Sequence, residues 1–166
     1  MARGPLETLA RRVGLRLKRS GLKLATAESC TGGWIAQAVT SIAGSSDWFE
    51  RGFVTYSNDA KKELLGVRAR TLSRHGAVSE ETAREMASGA LARSRAQVAL
   101  AVTGIAGPGG GTRKKPVGLV CFAWAGKKGG ARSAMLRFRG SRERVRRQSV
   151  VAALQGLLDR LDETEN

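Results

Sequence analysis

The chain has 166 residues, with 29 Lys and Arg against 14 Asp and Glu, a formal net charge of +15 with its one histidine neutral. This length fits one domain over 1–166, and such a domain buries roughly 70% of the surface its unfolded chain exposes, so its core needs no disulfide or metal staple. No apolar run approaches the ~20 residues that cross a bilayer, and the N-terminal segment with Arg3 lacks a signal peptide's apolar stretch; no membrane role is expected, and the expected location is cytoplasmic. Cys30 and Cys121 form no C-x-x-C pair and histidine occurs once, so neither a zinc site nor any other cofactor is expected.

The positive charge makes an anionic partner worth weighing. Its cations are dispersed among ordinary amphipathic segments, aromatics make up 5%, and no helix-turn-helix, RNA-recognition or zinc-finger signature occurs. Nucleic acid is therefore expected to adhere only nonspecifically, at low salt.

Pro5 and the stripe Leu6, Leu9, Ala10, Val13 and Leu17 predict a helix over 5–19, ended by Gly21. Residues 22–26 read as a buried strand and 31–42 as a helix closed by Gly44. The polar turn Gly44-Ser45-Ser46-Asp47 leads to Trp48 and Phe49, a strand near 52–57, and a short helix opened by Asn58 or Asp59 and stopped by Gly66. His75 falls in a polar loop before Gly76. Ser79 caps a helix running to about Arg93, with Ala83, Met86, Ala87, Ala90 and Leu91 as its buried stripe. A nearly continuous apolar strand over 97–103 is followed by the glycine-rich loop Gly104 to Gly111. Strands near 117–125 and 131–138, joined through Gly126 to Gly130, read as a hairpin. The last helix begins at Ser141 and packs through Val150, Val151, Leu154, Leu157, Leu158 and Leu161. Helices alternating with strands, plus one antiparallel hairpin, predict an α/β fold: a three-layer α/β/α sandwich on a mixed β-sheet.

Ala27-Glu28-Ser29-Cys30-Thr31-Gly32-Gly33 places a hydroxyl and a thiol at a strand-to-helix turn, where open N–H groups favour developing negative charge. Ser29 is the candidate nucleophile, and Cys30 its intrinsically better but more often inertly buried rival. A serine needs a base. The sole histidine, His75, has no triad-like surroundings, so a lysine made neutral by burial is the alternative. Lys61 and Lys62 follow the Tyr56-Ser57-Asn58-Asp59 turn by one helical turn, and Tyr56 is placed to relay a proton or orient the hydroxyl. Set against that, Tyr56 reads equally as core packing and Lys61 as a solvated helix face. Thr31 is a helix-starting hydroxyl within reach of a ligand. The glycine-rich loop 104–111 suits an anion cradle, although it matches neither a Walker loop nor a dinucleotide fingerprint. Arg142, Arg144, Arg146 and Arg147 cluster where a phosphate would also find helix N–H groups, and at least half of them read as a solvated face.

These residues resemble the CinA C-terminal domain family, which includes stand-alone nicotinamide-nucleotide amidases. The matching segments are AESCTGG (27–33), IAGSSDWF (42–49), GFVTYSNDAKKELLGV (52–67), GAVSE (76–80), TGIAGP (103–108) and KPVG (115–118), with a weaker match over 140–148. The resemblance implies hydrolysis of the nicotinamide mononucleotide carboxamide to nicotinic acid mononucleotide and ammonia, a step of pyridine-nucleotide salvage. It also implies a Ser-Lys-Tyr catalytic set falling on Ser29, Lys61 and Tyr56. Substrate contacts are then expected from Thr31, Gly32, Gly44, Ser45, Ser46, Thr103, Gly104, Ala106, Gly107, Arg142 and Arg146, with N–H groups near Ser29 or in the Gly44–Ser46 turn holding an oxyanion. The loop Pro-Gly-Gly-Gly-Thr-Arg-Lys-Lys-Pro (108–116) is richer in glycine and more basic than that pattern. No metal-dependent pyrophosphatase activity is implied. Trp48, Phe49 and the hairpin are the surfaces on which a homodimer or higher homo-oligomer would form. The competing reading is a basic, non-enzymatic accessory protein that binds nucleic acid; a third is an amidase of another pyridine or nucleotide amide.

Overall fold

The computed structural model describes residues 3–164. Helix α1 (Pro5–Ser20) leads to β1 (Leu24–Glu28), α2 (Trp34–Thr40), a 3-10 turn (Ser45–Asp47) and β2 (Phe49–Val54). Helices α3 (Asn58–Leu65), α4 (Ala69–His75) and α5 (Glu80–Ala92) precede β3 (Val98–Gly104), β4 (Leu119–Gly126), β5 (Gly130–Arg137) and α6 (Arg142–Glu163). The sheet order is β2-β1-β3-β4-β5. β1 is parallel to both neighbours, whereas β3, β4 and β5 pair antiparallel, with Gly126 opposite Gly130 across the hairpin. The mixed three-layer fold expected from the alternation of elements is the one observed.

Strand alternation builds two unlike faces. Leu24, Leu100, Val102, Val120, Phe122 and Trp124 point to one side and pack with α1, α2 and α6. Ala25, Ala27, Ala99, Ala101, Cys121, Ala123 and Ala125 point to the other, where the mostly alanine stripe Ala83, Met86, Ala87 and Ala90 of α5 lies on them. Small residues on both surfaces bring α5 close to the sheet. They also bring it close to α3: a Cβ on Gly89 would run into the backbone carbonyl of Leu65.

Several boundaries differ from expectation for local reasons. β1 lies two residues later than read. α2 starts at Trp34 because Gly32 (φ 61°) and Gly33 (φ 103°) hold left-handed backbone that interrupts a helix. β2 lies three residues before its expected span. His75 ends the short helix α4 rather than sitting in a loop; α4 offers only Thr71 and Leu72 to the interior, too little for a visible helical stripe. Trp48 is buried beneath α1 against Gly14, so it belongs to the core and not to an exposed association surface.

Candidate active site

β1 lies between its parallel neighbours β2 and β3, and the crossovers to them pack on opposite faces, α2 on one and α5 on the other, the arrangement in which α/β sheets open a crevice at the strands' C-terminal ends. Ser29 stands there, one residue past β1, buried, with its N–H donating to the Val102 carbonyl (3.0 Å) and its carbonyl accepting from Gly32 N–H (3.0 Å). The preceding side chain secures the turn. Glu28, 1% exposed, accepts from Thr31 Oγ1 (2.6 Å), Ile35 N–H (2.8 Å) and Ala36 N–H (3.1 Å), so a buried carboxylate takes up N–H groups that α2 would leave unpaired at its start.

The base comes from the next crossover. Ser57 caps α3, its Oγ accepting from Ala60 N–H (3.0 Å), which turns Lys61 inward at the end of the first helical turn. Lys61 is 1% exposed. Its Nζ lies 3.0 Å from Ser29 Oγ, 2.9 Å from the Thr55 carbonyl and 3.3 Å from the Tyr56 carbonyl. Burial pushes its pKa below the ordinary 10.5, and among the described residues no carboxylate pairs with it to oppose that. Lys62 points outward to Asp59 (3.1 Å). Burial pushes the Cys30 thiol up to about 12, which keeps it protonated and leaves Ser29 as the nucleophile candidate of the pair.

These groups share a cleft of about 260 Å³. Ser29, Cys30, Tyr56, Lys61, Thr103, Gly104, Ala106, Gly107 and Arg142 all line it. Tyr56 is 64% exposed at the mouth, and its hydroxyl meets Arg142 Nη2 (3.3 Å) rather than Ser29; Arg142 Nη1 also donates to the Gly107 carbonyl (2.7 Å). Thr103 Oγ1 donates to the Ala77 carbonyl (2.8 Å), joining the glycine-rich loop to the segment before α5. Among the described residues, the N–H groups of Cys30, Ala106, Gly107, Gly109 and Gly110 have no protein acceptor, so the cleft walls carry open donors.

Other expected contacts lie elsewhere. Thr31 and Gly32 shape the nucleophile turn without lining the cleft, and Arg146 lies behind it, bonded to the Cys30 and Thr31 carbonyls. Gly44, Ser45 and Ser46 are at the opposite end of the sheet. β1 and β2 run parallel and Leu24 N–H donates to the Trp48 carbonyl (2.8 Å), so the turn before β2 sits beside the start of β1, about 15 Å of strand from Ser29. His75 does not line the cleft; its Nδ1 is 3.9 Å from Glu81. The sequence does not mark Glu28 or the cleft-lining Asn58, Ala77 and Val78 as site residues, Asn58 reading there only as a helix opener. Glu28 had a signal, a carboxylate closing an otherwise apolar strand.

Fold and site together define an α/β/α protein with a buried serine–lysine pair at the C-terminal edge of its parallel strands. Residues 6–161 match the family described as the CinA C-terminal domain, and the chain belongs to that family. It is 54% identical over 157 residues to the nicotinamide-nucleotide amidohydrolase PncC of Escherichia coli K12, covering 95% of each chain. A Pseudomonas putida protein of the same name is 52% identical over 154 residues, covering 93% of this chain and 96% of the relative. Among solved structures, the competence/damage inducible protein CihA of Agrobacterium tumefaciens superposes with a TM-score of 0.93 at 51% identity, covering 98% of both chains.

Proposed function

We propose that this chain is an amidohydrolase that converts nicotinamide mononucleotide to nicotinic acid mononucleotide and ammonia through an acyl-enzyme on Ser29, a step of pyridine-nucleotide salvage. The observation that carries the mechanism is the 3.0 Å contact between Ser29 Oγ and a lysine 1% exposed; the names of the relatives support the substrate. A neutral lysine amine has two N–H bonds and one lone pair. The Thr55 and Tyr56 carbonyls accept the two N–H groups, which directs the lone pair at the Ser29 proton. Lys61 therefore acts directly, and Tyr56 works at the cleft mouth on the substrate.

Ser29 Oγ attacks the carboxamide carbon as its proton passes to Lys61. The resulting oxyanion is held by open backbone donors, with Cys30 N–H the nearest in sequence to the nucleophile. The Lys61 ammonium returns the proton to the departing nitrogen, the C–N bond breaks, and ammonia leaves. Water then attacks the ester carbonyl, giving one proton to Lys61, which restores it to Ser29 Oγ as the carboxylic acid departs and loses its remaining proton to solvent. The positive pyridinium beside the amide makes its carbonyl electrophilic. Arg142 and the open N–H groups of Ala106, Gly107, Gly109 and Gly110 supply a cradle for the substrate phosphate.

The test is ammonia release from nicotinamide mononucleotide by wild type and Ser29→Ala. Turnover in wild type, lost in the variant while nucleotide binding survives, is expected. Turnover retained in Ser29→Ala overturns the acyl-enzyme, and none in folded wild type overturns the substrate.

A further inference from the structure

The turn carrying Ser29 is gripped from two sides by opposite charges that do not pair with each other. On one side Glu28 takes its donors: the Thr31 hydroxyl and the N–H groups of Ile35 and Ala36. On the other, Arg146 reaches from the second turn of α6 and takes its acceptors, with Nε donating to the Cys30 carbonyl (3.1 Å) and Nη2 to the Thr31 carbonyl (3.1 Å). The guanidinium also lies 5.6 Å from the centre of the Trp34 ring. A Cβ on Gly32 would stand 3.3 Å from Arg146 Nη2, so the arginine is packed on the turn as well as bonded to it.

Such a grip has a purpose at this position. Beyond the Ser29 N–H to Val102 bond, residues 30–33 have no sheet partner, and two consecutive left-handed glycines give that backbone freedom to re-set its peptides. A trans peptide points its carbonyl and N–H in opposite directions, so fixing the Cys30 and Thr31 carbonyls fixes the 30–31 and 31–32 peptide planes, which lead directly out of the nucleophile residue's neighbour. We propose, resting on the serine reading above, that Arg146 is a positioning residue: its two bonds to the Cys30 and Thr31 carbonyls hold Ser29 Oγ in register with Lys61 and with the cleft's backbone donors. It acts on the turn and not on the substrate phosphate, which separates it from Arg142, four residues away and inside the cleft.

The experiment compares wild type, Arg146→Ala and Arg146→Lys in thermal unfolding, in ammonia release from nicotinamide mononucleotide, and in the rate at which an alkyl fluorophosphonate probe labels Ser29. Misplacing a reacting group by about an ångström costs on the order of a hundredfold. For Arg146→Ala the expected result is kcat lower by roughly ten- to a hundredfold with KM within about twofold, labelling slowed in parallel, and millimolar guanidinium restoring part of both. Arg146→Lys, which reaches one carbonyl as a point charge, should fall between the two. A raised KM with kcat held would make Arg146 a substrate ligand and overturn the proposal, as would labelling at the wild-type rate. Wild type that labels at Ser29 but releases no ammonia would overturn the substrate while the labelling rates still judge Arg146. Wild type that does not label overturns both.

Discussion

At the scale of single residues, Lys61 is a stability cost held for its chemistry. Its buried amine is neutral more readily than in the unfolded chain, because burial lowers its pKa from 10.5. Between the lowered folded value and 10.5, the unfolded state binds more protons than the native state, so this residue's contribution to stability improves as pH rises through that window and is least favourable below it. Lys61→Met removes the buried amine and keeps the volume. The variant should be inactive and should resist urea better than wild type at neutral pH, with the difference in midpoint narrowing as pH approaches 10.5. Equal midpoints at neutral pH would show that the lysine is not strained by burial. The same pKa sets the activity profile: kcat/KM should climb with pH along a limb below 10.5 that Ser29→Ala cannot show. Arg142 carries a separate expectation. Charged hydrogen bonds are worth about 1.5–3 kcal/mol, so Arg142→Ala should raise KM for nicotinamide mononucleotide by roughly ten- to a hundredfold. KM for the dephosphorylated riboside should not move, and steady-state kinetics on the two substrates decide it.

At the scale of elements, the position of Lys61 is set by how closely α3 can approach α5. Gly89 faces the Leu65 carbonyl with no room for a Cβ, so Gly89→Ala must push α3 outward, and α3 carries Lys61. Overpacking of this kind costs about 1–3 kcal/mol. Because the shift displaces the base from Ser29, kcat should fall beyond what lost stability explains; ammonia release below the unfolding range separates the two. An unchanged kcat would mean that α3 is held by its other contacts. This dependence also marks what a sequence discloses. Ser29 was legible as a hydroxyl after an apolar strand, and Lys61 as a lysine just inside the helix that follows the next one. Their meeting requires β1 and β2 to be parallel neighbours, which the alternation of helix and strand predicts. Gly44–Ser46 was misplaced by the same topology: the turn is near in sequence, but it enters β2 at the sheet's far end. Arg146 reads in the sequence as a phosphate ligand because charge at a helix start is visible, whereas the carbonyls it binds belong to a turn more than a hundred residues earlier. The role of Glu28 is hidden in the sequence because its partners are mostly backbone N–H groups, which no residue type announces.

At the scale of the whole molecule, the net charge of +15 is the feature the catalytic reading leaves unused, and it is what favours a nucleic-acid-binding accessory protein instead. The distribution of that charge and its salt dependence bear on the choice between them. Exposed cations stand on α1 (Arg12, Lys18, Arg19), on α4 (Arg70, Arg74), at Arg113 and Lys114, at the hairpin tip (Lys127, Lys128) and at the start of α6 (Arg144, Arg147). They occupy both helical layers and the sheet's edge, and the densest run is Arg137, Arg139, Arg142, Arg144 and Arg147, all exposed, from the end of β5 into α6. With about three phosphates neutralised, affinity falls roughly fortyfold between 50 and 200 mM salt. Fluorescence anisotropy with a labelled duplex should show binding at low salt that is lost in this range, without sequence preference and equally in Ser29→Ala. Ammonia release at physiological salt should be indifferent to added DNA. A steeper salt slope would report more than about three phosphates bound at once. Binding that survives 200 mM salt and competes with nicotinamide mononucleotide would assign the cleft and its arginines to a nucleic-acid phosphate.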